Sequence, residues 1–89
     1  MNYLINEIQI IPVKPNNGLV AFASCVVDNC LYLSSIAIHK KLDGSGYRLT
    51  YPTKKVGMGS LHIYHPITKE LSKVIEEAII KRFEELAAS

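Results

Sequence analysis

The spacing of apolar residues along this chain changes period once, at Thr68. Beyond it, Leu71, Val74, Ile75, Ala78, Ile79, Phe83 and Leu86 fall on one stripe of a 3.6-residue helix. Ahead of it, apolar residues come in short, β-branched-rich runs separated by Pro, Gly, Asn and Asp. Such a chain must lay down strands first and a single helix last. With 89 residues it has material for one core. The expected architecture is α+β: an antiparallel sheet of four to five strands over about 4–64, one amphipathic helix over about 68–87, and a single domain, 1–89.

Turn chemistry divides the first part. Ile8, Ile10 and Val13 lie in a run interrupted by Pro12, which suits the end of an edge strand. Lys14-Pro15-Asn16-Asn17-Gly18 supplies the fixed φ of proline and the positive φ that Asn and Gly tolerate, so a hairpin is expected there. Leu19 to Val27 and Leu31 to Ile38 read as a second hairpin around Asp28-Asn29. Lys40 to Gly46 reads as a polar loop before a short strand in which Tyr47, Leu49 and Tyr51 share one face and Arg48 points the other way. Thr53 to Ser60 reads as a mobile connection to a last strand, Leu61 to Tyr64. At the helix, Thr68 suits the cap, Glu70 the positive N-terminal end, and Lys81 and Arg82 the negative C-terminal end.

The second strand constrains assembly. Ala21, Ala23 and Val27 face one way, and Val20, Phe22 and Val26 the other, so both faces are apolar. One helix covers one face of a sheet, whereas an open antiparallel face is normally polar. A homodimer that buries the second face is therefore expected.

Several function classes fall away. No segment approaches the roughly 20 apolar residues of a membrane span, and no basic run precedes an apolar stretch at the N-terminus. A soluble, cytoplasmic protein with no membrane partner is expected. Cys25 and Cys30 are too few for a disulfide framework. Together with His62 and His65 they have zinc-ligand chemistry, but the two-residue gap between the histidines is shorter than such sites use and the pairs lie on different strands, so no metal is expected. No Cys or Ser stands with a His and an orienting acid, and Gly57 and Gly59 do not extend into a phosphate-binding pattern that opens a helix. The chain reads as a non-enzyme without a cofactor or a small-molecule substrate.

Net charge is only +2, yet the basic residues group: Lys40-Lys41 in one loop, Lys54-Lys55 in another, Arg48 between them on the outward side of its strand, and Lys69 and Lys73 opening the helix. Clustered cations of this kind suit phosphate.

Read in order, Ala21-Phe22-Ala23-Ser24, Asp28, Ile36 and Ile38, Tyr51-Pro52-Thr53-Lys54-Lys55, and His65-Pro66-Ile67 ahead of Glu70, Ile75, Glu76, Glu77 and Ala78 resemble the stage V sporulation protein G (SpoVG) family over nearly the whole chain. The resemblance implies a curved antiparallel sheet with a C-terminal helix, in small dimeric bacterial regulators of processes such as sporulation and septation. It implies DNA as partner, with RNA in some members. It also carries nucleic-acid contact onto Lys54 and Lys55 of the Pro-Thr loop and onto Lys69 and Lys73. His65-Pro66-Ile67 reads as structural, with Ile67 packed beneath the helix. Ser60-Leu61-His62-Ile63 departs from a charged stretch usual in the family, and lysine replaces frequent arginine in the loop, which favours phosphate contact over base readout. The competing reading is a protein-interaction module that works through a sheet edge or an apolar sheet face, without nucleic acid.

Overall fold

The structure is a computed structural model and describes residues 3–88. Among the described residues six strands precede one helix: β1 Ile5–Asn16, β2 Leu19–Val27, β3 Leu31–Lys40, β4 Tyr47–Thr50, β5 Thr53–Val56, β6 Gly59–His62 and α1 Lys69–Ala88. The first four form one antiparallel sheet in sequence order; β5 and β6 form a separate two-stranded sheet. The α+β architecture is the expected one, with its strands divided between two sheets.

Both expected hairpin turns are present, in tighter form. β1 runs through Pro12 and Pro15 to Asn16, which is compatible with its position at the sheet edge, and only Asn17 (φ 52°) and Gly18 (φ 92°) make the turn. Asp28 and Asn29 turn at φ 52° and 56°, with the Cys30 N–H donating to the Val27 carbonyl at 3.0 Å. The Asp28 carboxylate also accepts from the Leu4 N–H at 2.9 Å, which ties this turn to the residue before β1.

The core is one face of this sheet closed by α1. Ala21, Ala23, Cys25 and Val27 of β2 meet Leu33, Ile36 and Ile38 of β3 and Ile75 and Ile79 of α1, all buried. Burying Ile75 and Ile79 contributes about 1.5–3 kcal/mol each, enough to hold the helix on the sheet. The Phe83 ring meets Tyr47 edge to face at 5.0 Å, pinning the later helix to β4. α1 continues to Ala88, so Lys81 and Arg82 lie short of its last turn, which holds no basic residue. Glu77 approaches Lys73 at 4.0 Å, one turn back along the helix.

Two bulges account for apolar residues that break the strand period. The register of β2 with β3 shifts between Ala23 and Cys25, opposite Ser35 at φ 60°, so that Leu33 and Ile36, three apart, both face the core. Glu7, at φ 49°, does the same in β1, and both Ile5 and Ile8 pack against the core. A third shift, between Leu19 and Ala21, corrects the expectation for Val20, which packs against the core rather than beside Phe22. The outer face is left with Ile11, Phe22 and Ala37 in one cross-strand row and Val26 beside Tyr32.

Thr53 to Ser60 is not an irregular connection. Val56 pairs with Gly59 around Gly57-Met58, with Gly57 at the positive φ (60°) that the first central position of a type II′ turn requires. Every residue of β5 and β6 is exposed. The last strand ends at His62, and Tyr64 lies beyond it, its hydroxyl donating to the Ser34 carbonyl and its ring edge-on to Tyr51 at 5.9 Å. No described helix is long and apolar enough to cross a membrane.

Candidate nucleic-acid interface

The basic residues resolve into three places. The first is a shallow groove of about 490 Å³ at one end of the main sheet, lined by Asn17, His39, Lys40, Lys41, Asp43 and Arg48 among others. Strand pairing builds it. His39 lies opposite Arg48 and Lys40 opposite Tyr47, while the Lys40 N–H donates to the Gly18 carbonyl at 2.7 Å, fastening the β1–β2 turn to the end of β3. The loop that follows is held by the Lys41 N–H on the Gly46 carbonyl (2.9 Å), the Gly44 N–H on the Lys41 carbonyl (3.0 Å) and the Ser45 N–H on Asp43 Oδ1 (2.9 Å). Residues distant in sequence thus share one polar surface.

The charge of that groove is stable around neutral pH. Hydrogen bonding to Ser45 holds the Asp43 carboxyl below its ordinary pKa, so it is ionised. Burial, with the Arg48 guanidinium adding to it, lowers the His39 pKa, and its Nε2 lies 3.0 Å from Thr50 Oγ1. The groove therefore carries Lys40, Lys41 and Arg48 against the single carboxylate of Asp43, with a neutral imidazole in its wall.

The second place is the exposed hairpin at the other end of β4. Lys54 lies opposite Leu61 and Lys55 opposite Ser60, so strand alternation puts the two lysines on opposite faces. Lys54 shares its face with Val56 and Leu61. Lys55 shares its own with Thr53, Ser60 and His62, and the His62 and His65 rings stand 4.5 Å apart. The pair adjacent in sequence is therefore divided, with only Lys55 on a polar face.

The third place is the start of α1, where Ile67, Thr68, Lys69, Ser72, Lys73 and the carboxylate of Glu76, among others, border an open groove of about 410 Å³. Thr68 caps the helix as expected, its hydroxyl accepting from the Leu71 N–H at 3.2 Å. Lys73 is 77% exposed and its contact with Glu77 is long, so little holds it from another anion. Ile67 is 89% exposed, which corrects the expectation that it packs beneath the helix; Ile75 and Ile79 fill that space.

Cys25 is buried in the core, where desolvation raises its thiol pKa, whereas Cys30 is exposed. Among the described residues no three His, Cys, Asp or Glu side chains gather around a common point. Sequence reasoning had no means of seeing Asn17 and His39 as parts of the first groove, since their approach to Arg48 depends on register across three strands.

The SpoVG family model matches residues 3–85. A Treponema denticola protein provisionally named septation protein SpoVG is 30% identical over 81 residues, covering 90% of this chain and 85% of its own length. A protein of the same provisional name from Archaeoglobus fulgidus is 28% identical over 83 residues, covering 91% and 94%, and one from Borreliella afzelii is 29% identical over 83 residues, covering 89% and 84%.

Proposed function

The chain belongs to the SpoVG family, and from that premise we propose that it is a dimeric nucleic-acid-binding regulator that contacts DNA or RNA phosphates through its basic grooves. The observation that carries the reading is the convergence of Lys40, Lys41 and Arg48 on one open groove with Asp43 as its only carboxylate. Ammonium and guanidinium groups there are exposed and free to follow a phosphate backbone. Lys55, on the polar face of the hairpin, and Lys69 and Lys73, at the helix start, extend the positive surface. Lys54 belongs to this surface only in part, because its neighbours across the hairpin are apolar.

Salt titration of binding to single-stranded DNA, duplex DNA and RNA tests the reading. Each lysine that meets a phosphate of duplex DNA adds roughly 0.9 to the slope of log affinity against log salt. The Lys40→Glu/Lys41→Glu variant should bind more weakly with a shallower slope; Glu84→Lys/Glu85→Lys, on the outer side of α1, should bind as well as wild type or better. Affinity that is unchanged in the loop variant, or that survives high salt, would sink the proposal.

One observation favours a second reading. A wholly exposed hairpin bearing Val56, Met58 and Leu61 suits a module that recruits another protein. In that case, none of the three nucleic acids binds at physiological salt.

A further inference from the structure

The β5–β6 hairpin lacks what a two-stranded sheet needs to persist. Alone in water such a hairpin is marginal; it requires more strands or an apolar surface to pack on. Here all eight strand residues are exposed, Met58 projects fully from the turn, and Leu61 is 63% exposed. The body of the molecule has a matching deficit. β4 covers β3 only from Ala37 to Lys40, so among the described residues the margin of β3 from Leu31 to Ile36 carries no strand on that side. Beside this margin lies an apolar cleft of about 240 Å³ lined by Leu31, Tyr32, Leu33, Tyr64 and Leu71, with Tyr32 65% exposed at its rim.

We propose that the β5–β6 hairpin is an exchange arm whose Lys54–Val56–Leu61 face packs into the Leu31–Tyr32 cleft of a second copy of this chain. The inference rests on the self-association in the reading above and names the surface that makes it. Area is the first argument for a second copy. The chain exposes 6461 Å² at 9.9 kDa, where a compact monomer of that mass exposes about 5,200 Å². The surplus is of the order of the about 800 Å² that each partner gives to a standard interface. Shape agrees: the radius of gyration is 13.4 Å, against roughly 12 Å for a compact chain of this length. Symmetry is the second argument, because arm and cleft reside on one chain and a two-fold axis satisfies both of each at once. Among the described residues no Lys or Arg lines the cleft to repel Lys54, whose aliphatic stem can lie along the apolar rim while its ammonium stays in water. Lys55, on the other face of the arm, stays open to phosphate.

Sedimentation of the full chain at micromolar concentration, with circular dichroism to monitor folding, tests this. Wild type should be a dimer. Val56→Asp/Leu61→Asp on the arm and Leu31→Asp in the cleft, where Leu31 is 54% exposed, should each weaken it by roughly a hundredfold or more and give folded monomers, because desolvated apolar anchors carry most interface energy. Phe22→Asp, on the outer sheet face, should remain dimeric. As a second measurement, a Leu61→Cys copy mixed with a Leu31→Cys copy, both in a Cys30→Ser background, should give a disulfide between the two different chains. An arm variant that dimerises like wild type, dissociation by Phe22→Asp instead, or no mixed disulfide would overturn the arm while leaving the dimer standing. A monomeric wild type would overturn the dimer itself.

Discussion

The main sheet and the small hairpin treat the same kinds of residue in opposite ways. In β2, β3 and α1, nine apolar side chains are buried, and alternation, two bulges and a helical stripe all turn them toward one layer. In β5 and β6, alternation is equally regular, but Val56 and Leu61 face open space on the same side as Lys54. The difference separates residues whose apolar character stabilises this chain from residues whose apolar character is available to something outside it. It also separates two kinds of basic site: one assembled by tertiary register at Lys40, Lys41 and Arg48, the other set by the strand period at Lys54 and Lys55.

The largest effect tests that separation directly. Ile75→Ala leaves a cavity between helix and sheet and should cost about 2–5 kcal/mol. Leu61→Ala should change stability by no more than about 0.5 kcal/mol at concentrations where the protein is monomeric. Urea denaturation measures both, and a Leu61→Ala cost that matches Ile75→Ala would erase the distinction. Next in size is the bulge that keeps Leu33 and Ile36 together. Ser35 sits at φ 60°, where a β-branched side chain is strained, so Ser35→Val should cost about 1–3 kcal/mol while Ser35→Gly should be tolerated. Equal denaturation midpoints for the two would mean that this backbone conformation does not matter to the core.

The helix start offers a smaller effect. Thr68→Ala removes the acceptor of the Leu71 N–H and should lower the urea midpoint by an amount equivalent to about 1 kcal/mol, without altering sedimentation. Smallest is the pair of tyrosines at the root of the hairpin, whose hydroxyl pKa values burial pushes up to about 12. Their raised values favour the neutral form in the folded state. That contribution is fully present below pH 10 and is lost as pH rises toward 12, so alkaline unfolding should begin in this window. Tyr64→Phe loses the bond to the Ser34 carbonyl and should cost about 1 kcal/mol at neutral pH. Tyr51 Oη is buried without a hydrogen-bond partner among the described residues, so Tyr51→Phe should be neutral or stabilising there and should blunt the alkaline loss. Identical pH profiles for Tyr51→Phe and wild type would show that its burial does not persist in solution.

The features legible in advance are the local ones. Asn17-Gly18 and Asp28-Asn29 announce turns because only such residues accept positive φ cheaply, and Thr68 announces a helix because its hydroxyl replaces a missing backbone acceptor. The β5–β6 hairpin was hidden by its composition. Lys54-Lys55 and two glycines read as an irregular loop, although Gly57 is the residue that a type II′ turn requires at its first central position. Once the strand is recognised, the opposite orientation of Lys54 and Lys55 follows from its period.

By itself the sequence determined the order of elements, the place where strands give way to a helix, the turns that reverse the chain, and the apolar stock from which a core had to be made. These rest on φ preferences and periodicities that act within a few residues. Tertiary structure alone decided that Val20 packs inward, that Leu33 and Ile36 share a face, that Ile67 stays outside, and that Asn17, Lys40, Lys41 and Arg48 border one groove. Each of those depends on which residue stands opposite which across a ladder. A one-residue bulge reverses the facing of everything beyond it, and the energy that selects the bulge comes from the helix packed on the far side of the sheet.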